Sequence, residues 1–429
     1  MRILLSTFAF LPESVGGTEV YVAALSRELK ACGHEVVVVI PASEETRSGG
    51  RYVLEGIDVR RCRANGFLEL LEEFRPDIVH FHPLTGGDLL SWVEASHDKE
   101  IPIVCTYHTP TLTCGRGDVL QYGEHECDGR LDARVCASCV LHSRGLPRLA
   151  SIAVASWLPR RTSEWRFVPR KVRSALSIAS QRHVHRQAWD RLVACVDHWV
   201  SVAAWVKDLL VRNGVDSSRV TTSRQGVCAA SDAGCNLPDR PRDRAVIGFL
   251  GRIHPHKGLH VLIESLGRIE GDGLELRIAG APSTFAHDYA DGLVNQTRDD
   301  PRIRWLGGVA PDCTLPFLAE LDVLVVPYLG FETGPMTVLE AWAAGTPVIG
   351  SNRGGIAEWI EQFGGGQLFP PGDSAALTRI LAQGFPTRFS ALRAQVPREV
   401  RRMSDVADEM VHLYIRVQKS RKDRHASID

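Results

Sequence analysis

No charge of one sign dominates this 429-residue chain: Lys and Arg total 50 against 51 Asp and Glu. Docking along a nucleic-acid backbone needs a basic surplus, so no nucleic-acid partner is expected. Long hydrophobic runs are also missing, since no stretch approaches the roughly 18 apolar residues that span a bilayer. The opening Met1-Arg2-Ile3-Leu4-Leu5 imitates a signal peptide, yet it meets Pro12 and Glu13 with no small-residue cleavage site. It therefore reads as a buried first strand, and the expected location is the cytoplasm. Low-complexity tracts and short repeats are absent apart from a charged tail at Lys419–Arg424, which reads as disordered. What remains is ordinary for a soluble globular protein, with 44% apolar and 24% charged residues. The length exceeds the about 250–300 residues of a single core, so two or three domains are expected.

Short β-branched runs alternate with helical patterns, the signature of parallel sheets covered by helices. In the first half the expected strands are Arg2–Ser6, His34–Pro41, Asp77–Phe81 and Ile101–Thr106, with a helix over Glu19–Cys32 stopped by Gly33. The valine run of the second strand fits burial on both faces. Residues 146–212 read as largely helical. Their basic stretch 160–173 is a solvated face or, alternatively, a peripheral contact with anionic lipid at the inner face of the membrane. Cys228–Arg244 reads as a linker. The pattern then restarts, with strands at Ala245–Leu250, Leu274–Ala279, Ile303–Leu306, Leu324–Pro327 and Pro347–Gly350 and helices at Gly258–Arg268 and Pro335–Ala344. The expectation is an α/β protein of two Rossmann-like domains facing each other across a cleft, residues 1–227 and 245–397 joined by 228–244. A helix near 398–418 is expected to pack back across the interface, ahead of a tail at 419–429. Ligands of such open sheets sit beyond the carboxyl ends of the strands.

Three segments carry chemistry. Gly16-Gly17-Thr18-Glu19 lies between the first strand and its helix, where glycines let backbone amides approach a phosphate. A plain tight turn is the alternative. Gly251-Arg252-Ile253-His254-Pro255-His256-Lys257-Gly258 again follows a strand and precedes a helix, and its guanidinium and ammonium suit a diphosphate. The third segment is Phe331-Glu332-Thr333-Gly334-Pro335-Met336-Thr337-Val338-Leu339-Glu340. Pro335 suits the first helical position, and the free amides of the following turn would point at an anion. At about 1.5 Å rise per residue, Glu332 and Glu340 would stand on the order of 12 Å apart. That separation suits one carboxylate at a sugar ring and the other at a ribose, with a diphosphate between.

Eleven cysteines are present, and Cys114, Cys127, Cys136 and Cys139 fall within 26 residues as Cys-x12-Cys-x8-Cys-x2-Cys. They lie in an insertion near 108–145. In a cytosolic chain such a cluster reads as a metal site before it reads as disulfides. Four thiolates fit tetrahedral zinc, an iron–sulfur cluster is the less favoured tenant, and unligated thiols are the bland alternative.

Together these segments resemble retaining glycosyltransferases of the GT-B fold, specifically the GT4-type family. Glu332 and Glu340 match that family's E-x7-E motif, followed by Ala341-Trp342-Ala343-Ala344-Gly345-Thr346-Pro347. Gly251-Arg252 with Lys257-Gly258, the turn at Gly16-Gly17, and Asp77-Ile78-Val79-His80-Phe81-His82 add to the likeness, which spans roughly residues 1–395. The resemblance implies a UDP- or GDP-sugar donor. Arg252 and Lys257 would hold its diphosphate, amides around Gly334–Val338 would cradle it, Glu340 would take the ribose and Glu332 the transferred sugar. It implies catalysis without a cofactor, retention by front-face attack, and a role near the donor sugar for His108. A satisfied core histidine is the alternative for His108. The acceptor, a glycan, lipid or small molecule, is not encoded in these motifs. A nucleotide-sugar 2-epimerase and a non-catalytic nucleotide-sugar binding protein share this architecture and stand as the rival readings. Gln225-Gly226 departs from the Asn-Gly common in the family.

Overall fold

The computed structural model describes residues 1–429 except 43–49, 84–87, 157–169, 229–234, 236, 239–242, 284–285, 384–386 and 427–429. The chain forms two compact units. The first takes Met1–Arg224 together with Ser404–Asp429, and the second takes Gln225–Met403. Among the described residues no helix is long and apolar enough to cross a membrane.

The strands of the first unit are β1 (Arg2–Thr7), β2 (Glu35–Pro41), β3 (Gly50–Leu54), β4 (Ile57–Cys62), β5 (Ile78–His82), β6 (Ile103–Tyr107), β7 (Leu120–Gln121), β8 (His125–Glu126), β9 (His198–Ser201) and β10 (Val220–Thr222). Eight of them form one sheet in the order β10-β9-β6-β5-β1-β2-β4-β3, while β7 and β8 form a separate hairpin. All pairings in the large sheet are parallel except β3 with β4 at the edge. Val36 to Val39 of β2 are all buried, as a strand covered on both faces requires. Helix Gly17–Ala31 ends just before Gly33, whose φ of 82° lets the chain turn back. The second unit holds β11 (Ala245–Leu250), β12 (Leu274–Ala279), β13 (Ile303–Gly307), β14 (Val323–Val326), β15 (Val348–Ser351) and β16 (Gly366–Phe369). They form an all-parallel sheet in the order β13-β12-β11-β14-β15-β16. The order reverses at β11 and β14, and the site segments follow these two strands.

The stretch 146–212 is largely helical, as expected, with helices Arg148–Ser156, Arg170–Cys195 and Ala204–Arg212 and the four buried residues of β9 between the last two. Three expectations need correction. The charged tail is not disordered: helix Met403–Ala426 runs through Lys419–Arg424. Arg421 is buried there and pairs with Asp197 at 2.6 Å, a partner that local composition cannot reveal. Pro335 is the N-cap rather than the first helical residue, since the helix is Met336–Ala343. The second unit also begins earlier than the expected linker, with Val227 bridged to Arg402. Most of 228–244, and residues 160–169 of the basic stretch, lie outside the described residues.

Candidate active site

In the second unit, two loops meet beyond β11 and β14. The first, Gly251–Gly258, leaves β11 and ends at Gly258 with φ 70°. A Cβ at Gly258 would stand 1.8 Å from the carbonyl oxygen of Pro327, directly after β14, so only glycine permits this approach. The bond from Leu329 N–H to the His256 carbonyl, at 2.9 Å, ties the loops together. The result is an ion pair: Lys257 Nζ lies 2.7 Å from Glu332 Oε2 and 4.7 Å from the centre of the Tyr328 ring. Arg252 is exposed at the start of the same loop.

Glu332 is braced from behind. Gly354 has φ 59°, and a Cβ there would lie 2.8 Å from the Glu332 carbonyl oxygen. The next residue, Gly355, donates its N–H to that oxygen at 2.7 Å. Gln225 is buried against Gly334, where an added Cβ would come within 2.5 Å of its amide oxygen. The departure from the usual Asn therefore lies in contact with the candidate phosphate loop.

The five residues assigned to that loop do not contribute equally. Pro335 has no N–H, and Val338 N–H is already bonded to the Pro335 carbonyl at 2.9 Å. Met336 and Thr337 open the helix, where amides have no intrahelical acceptor. They and Gly334 are the donors left for an anion. Eight residues beyond Glu332, Glu340 is half-buried, and desolvation pushes its carboxyl up to about 7. Tertiary placement thus leaves its charge sensitive to whatever donor approaches it.

In the first unit, His108 follows β6, and its Nε2 lies 2.9 Å from Nδ1 of His82 at the end of β5. The Tyr21 ring, on the helix that Gly16 and Gly17 open, packs edge-on against His108 at 4.8 Å. One turn of helix thus separates the glycine turn from the histidines. Gly16 itself is held close to a carboxylate of its own chain: an added Cβ would meet Glu19 Oε2 at 2.6 Å. His80 bonds Tyr414 OH at 2.6 Å and Thr106 Oγ1 at 2.7 Å. Burial pushes His80 and His108 down to about 3 and His82 well below its usual value, so all three are neutral. Sequence reasoning assigned no role to His80, His82, Gln225 or Gly354-Gly355. The first pair carried a signal, since period-two spacing puts both side chains on one face of β5.

The four clustered cysteines are all unbridged, whereas Cys235 and Cys313, for which sequence reasoning assigned no role, form a disulfide in the second unit. As the side chains stand, no group of three or more His, Cys, Asp or Glu among the described residues is arranged around a metal position.

Two Rossmann-like units with the paired loops at 251–258 and 331–340 define a sugar-transferring enzyme of the GT-B fold. The chain belongs to Glycosyltransferase Family 4, whose profile matches residues 15–230, just over half of it. A second profile, Glycosyl transferases group 1, matches residues 244–383. Phosphatidyl-myo-inositol mannosyltransferase of Mycobacterium leprae is 26% identical over 385 residues, covering 85% of this chain and 83% of that protein. Among solved structures, Anabaena HepE in complex with UDP and glucose superposes with TM-score 0.61 at 15% identity, covering all of both chains. Sucrose-phosphate synthase of Thermosynechococcus elongatus gives TM-score 0.65 at 17% identity, covering 98% of this chain and 100% of that one.

Proposed function

We propose that the chain transfers a hexosyl group from a nucleoside diphosphate sugar to an acceptor hydroxyl with retention of configuration and without a metal at the donor. The Lys257–Glu332 ion pair carries this reading. It holds a cation for phosphate and a carboxylate for sugar side by side, at the mouth of a helix whose first amides are free. Lys257 and Arg252 balance the diphosphate charge, and the amides of Gly334, Met336 and Thr337 add fixed dipoles. Glu332 accepts from hydroxyls of the transferred sugar, and Glu340 accepts from the ribose. His108 of the first unit, held neutral, is suited to hydrogen-bond a sugar hydroxyl rather than a phosphate. As the bond from C1 to the phosphate oxygen breaks, the acceptor oxygen bonds C1 on the same face. Its proton passes to the leaving diphosphate. The UDP and glucose in the HepE complex support a nucleotide sugar as donor, and the base and sugar are read by pocket shape.

The test is a panel of UDP- and GDP-sugars offered with and without acceptor. Nucleoside diphosphate is expected only when both substrates are present, with Mg²⁺ or Mn²⁺ making no difference. NMR of the new anomeric proton should show the donor's configuration. Diphosphate release without acceptor points to the epimerase reading, and an inverted linkage removes the retaining mechanism.

A further inference from the structure

The insertion that follows His108 carries none of the residues assigned to the donor, yet its backbone is organised around sulfur. Hairpin β7–β8 runs directly into Cys127, whose N–H bonds the Val119 carbonyl across the ladder at 3.0 Å. Beside that point, Cys139 Sγ receives the Tyr122 N–H at 3.1 Å, and its thiol faces the Leu120 carbonyl at 3.7 Å. Cys127 Sγ likewise receives the Gly129 N–H at 3.5 Å. Helix Ala133–Ser143 carries Cys136 one turn before Cys139, so both look from one face toward the hairpin. The Cys114 loop lies against that same helix, since an added Cβ at the next residue, Gly115, would come 2.9 Å from Val140.

A half-buried cation stands beside them. Arg182, on helix Arg170–Cys195, lies 2.4 Å from that same Gly115 Cβ position, and it lines a cavity of about 340 Å³ together with Cys114, Arg116 and His185. Its Nε is buried with no hydrogen-bond partner among the described residues. Arg116 is already matched by Asp118 at 2.9 Å, whereas Arg182 meets the His185 ring at 3.0 Å. A partly desolvated guanidinium gains from an anion placed beside it.

We propose that Cys114, Cys127, Cys136 and Cys139 form a tetrathiolate site for one zinc ion, with Arg182 as its charge partner. Four thiolates and Zn²⁺ leave two negative charges, which the guanidinium and the backbone N–H donors offset. The thiol contacts holding the present rotamers are weak: Cys136 to the Arg130 carbonyl at 3.9 Å, and Cys127 to the Asp128 carboxylate at 3.9 Å. Rotation about Cα–Cβ between staggered wells redirects the sulfurs, and the cavity beside Cys114 gives the ion a way in.

Elemental analysis of the full chain, purified without chelator or added metal, is expected to give about one equivalent of zinc, the content of a closed structural site. Cys136→Ser/Cys139→Ser should lose it, while Cys32→Ser, an exposed cysteine outside the cluster, should keep it. So that the test does not depend on the double variant's folding, wild type is also exchanged with Co²⁺, and an intense sulfur-to-cobalt charge-transfer band in the near ultraviolet is expected. Less than about a tenth of an equivalent in active wild type that also gives no such band overturns the site, because a tetrathiolate holds its ion stoichiometrically. Retention of zinc by the folded double variant overturns it too, as does a disulfide found within the four. Iron with labile sulfide overturns the choice of zinc.

Discussion

Glu340 shows how a single side chain trades stability for recognition. Desolvation pushes its carboxyl up to about 7 in the folded chain, against 4.5 when solvated. A raised acid favours the protonated folded state, so its contribution is present below about pH 4.5 and lost as pH rises through about 7. At roughly 1.4 kcal/mol per unit, ionising it in place costs about 3 kcal/mol at pH 8, as an upper figure. Glu340→Gln should therefore raise the melting temperature at pH 8 and not at pH 4.5. The same change should weaken nucleotide binding, because ribose hydroxyls favour an ionised acceptor. In wild type, affinity should rise with pH through about 7, and in the variant it should be flat. Calorimetric titration at three pH values decides this, and a wild-type affinity independent of pH would sink the ribose assignment. The meeting of Lys257 with Glu332 was foreshadowed in the sequence, because each sits on a loop that leaves a strand of the same sheet. The Tyr328 ring under Lys257 and the Gly354 brace behind Glu332 were not, because each meets its partner only after distant strands pair.

Among elements, the loop from Gly251 to Gly258 bears on both shape and chemistry. Gly258→Ala adds a methyl where the Pro327 carbonyl already stands and forces an L side chain into the left-handed region. It should lower stability by more than the about 1 kcal/mol typical of strain at one residue, and it should loosen nucleotide binding by displacing Lys257. Gly267→Ala is the control. Gly267 ends helix Leu259–Gly267 with nothing within 4 Å of an added Cβ, and the change should be neutral or mildly stabilising. Equal melting temperatures for the two variants would contradict the close approach. The same scale explains what the sequence disclosed of the fold. Valine-rich β2 and apolar β11 stand out between helices, so the parallel core could be read directly. Edge strand β3 is mostly exposed and pairs antiparallel, and β9 is only four residues long and opens on a histidine, so neither announced itself.

At the scale of the whole molecule, Asp197 is a keystone. Its two oxygens take Arg421 and Arg424 at 2.6 Å each, and Oδ2 also accepts the Ile103 N–H at 2.9 Å. One carboxylate therefore joins β6 and the final helix. Asp197→Ala leaves Arg421 buried without a counter-charge, its bond to the His97 carbonyl at 3.3 Å remaining, and such a group typically costs about 3–5 kcal/mol. Differential scanning calorimetry should show the first unit melting earlier while nucleotide affinity in the second stays unchanged. An unshifted first transition would mean that the final helix is held by its apolar face alone.

That final helix also dictates an order of birth. Tyr414 bonds His80 in β5, so the first unit is finished only by residues synthesised after the entire second unit. On the ribosome, a sheet with an unfilled face must wait while a complete second sheet emerges and folds. Apolar surface around β5 and β6 is exposed for that interval, which makes the first unit the natural client of chaperones. The later-born unit is the one able to fold without waiting.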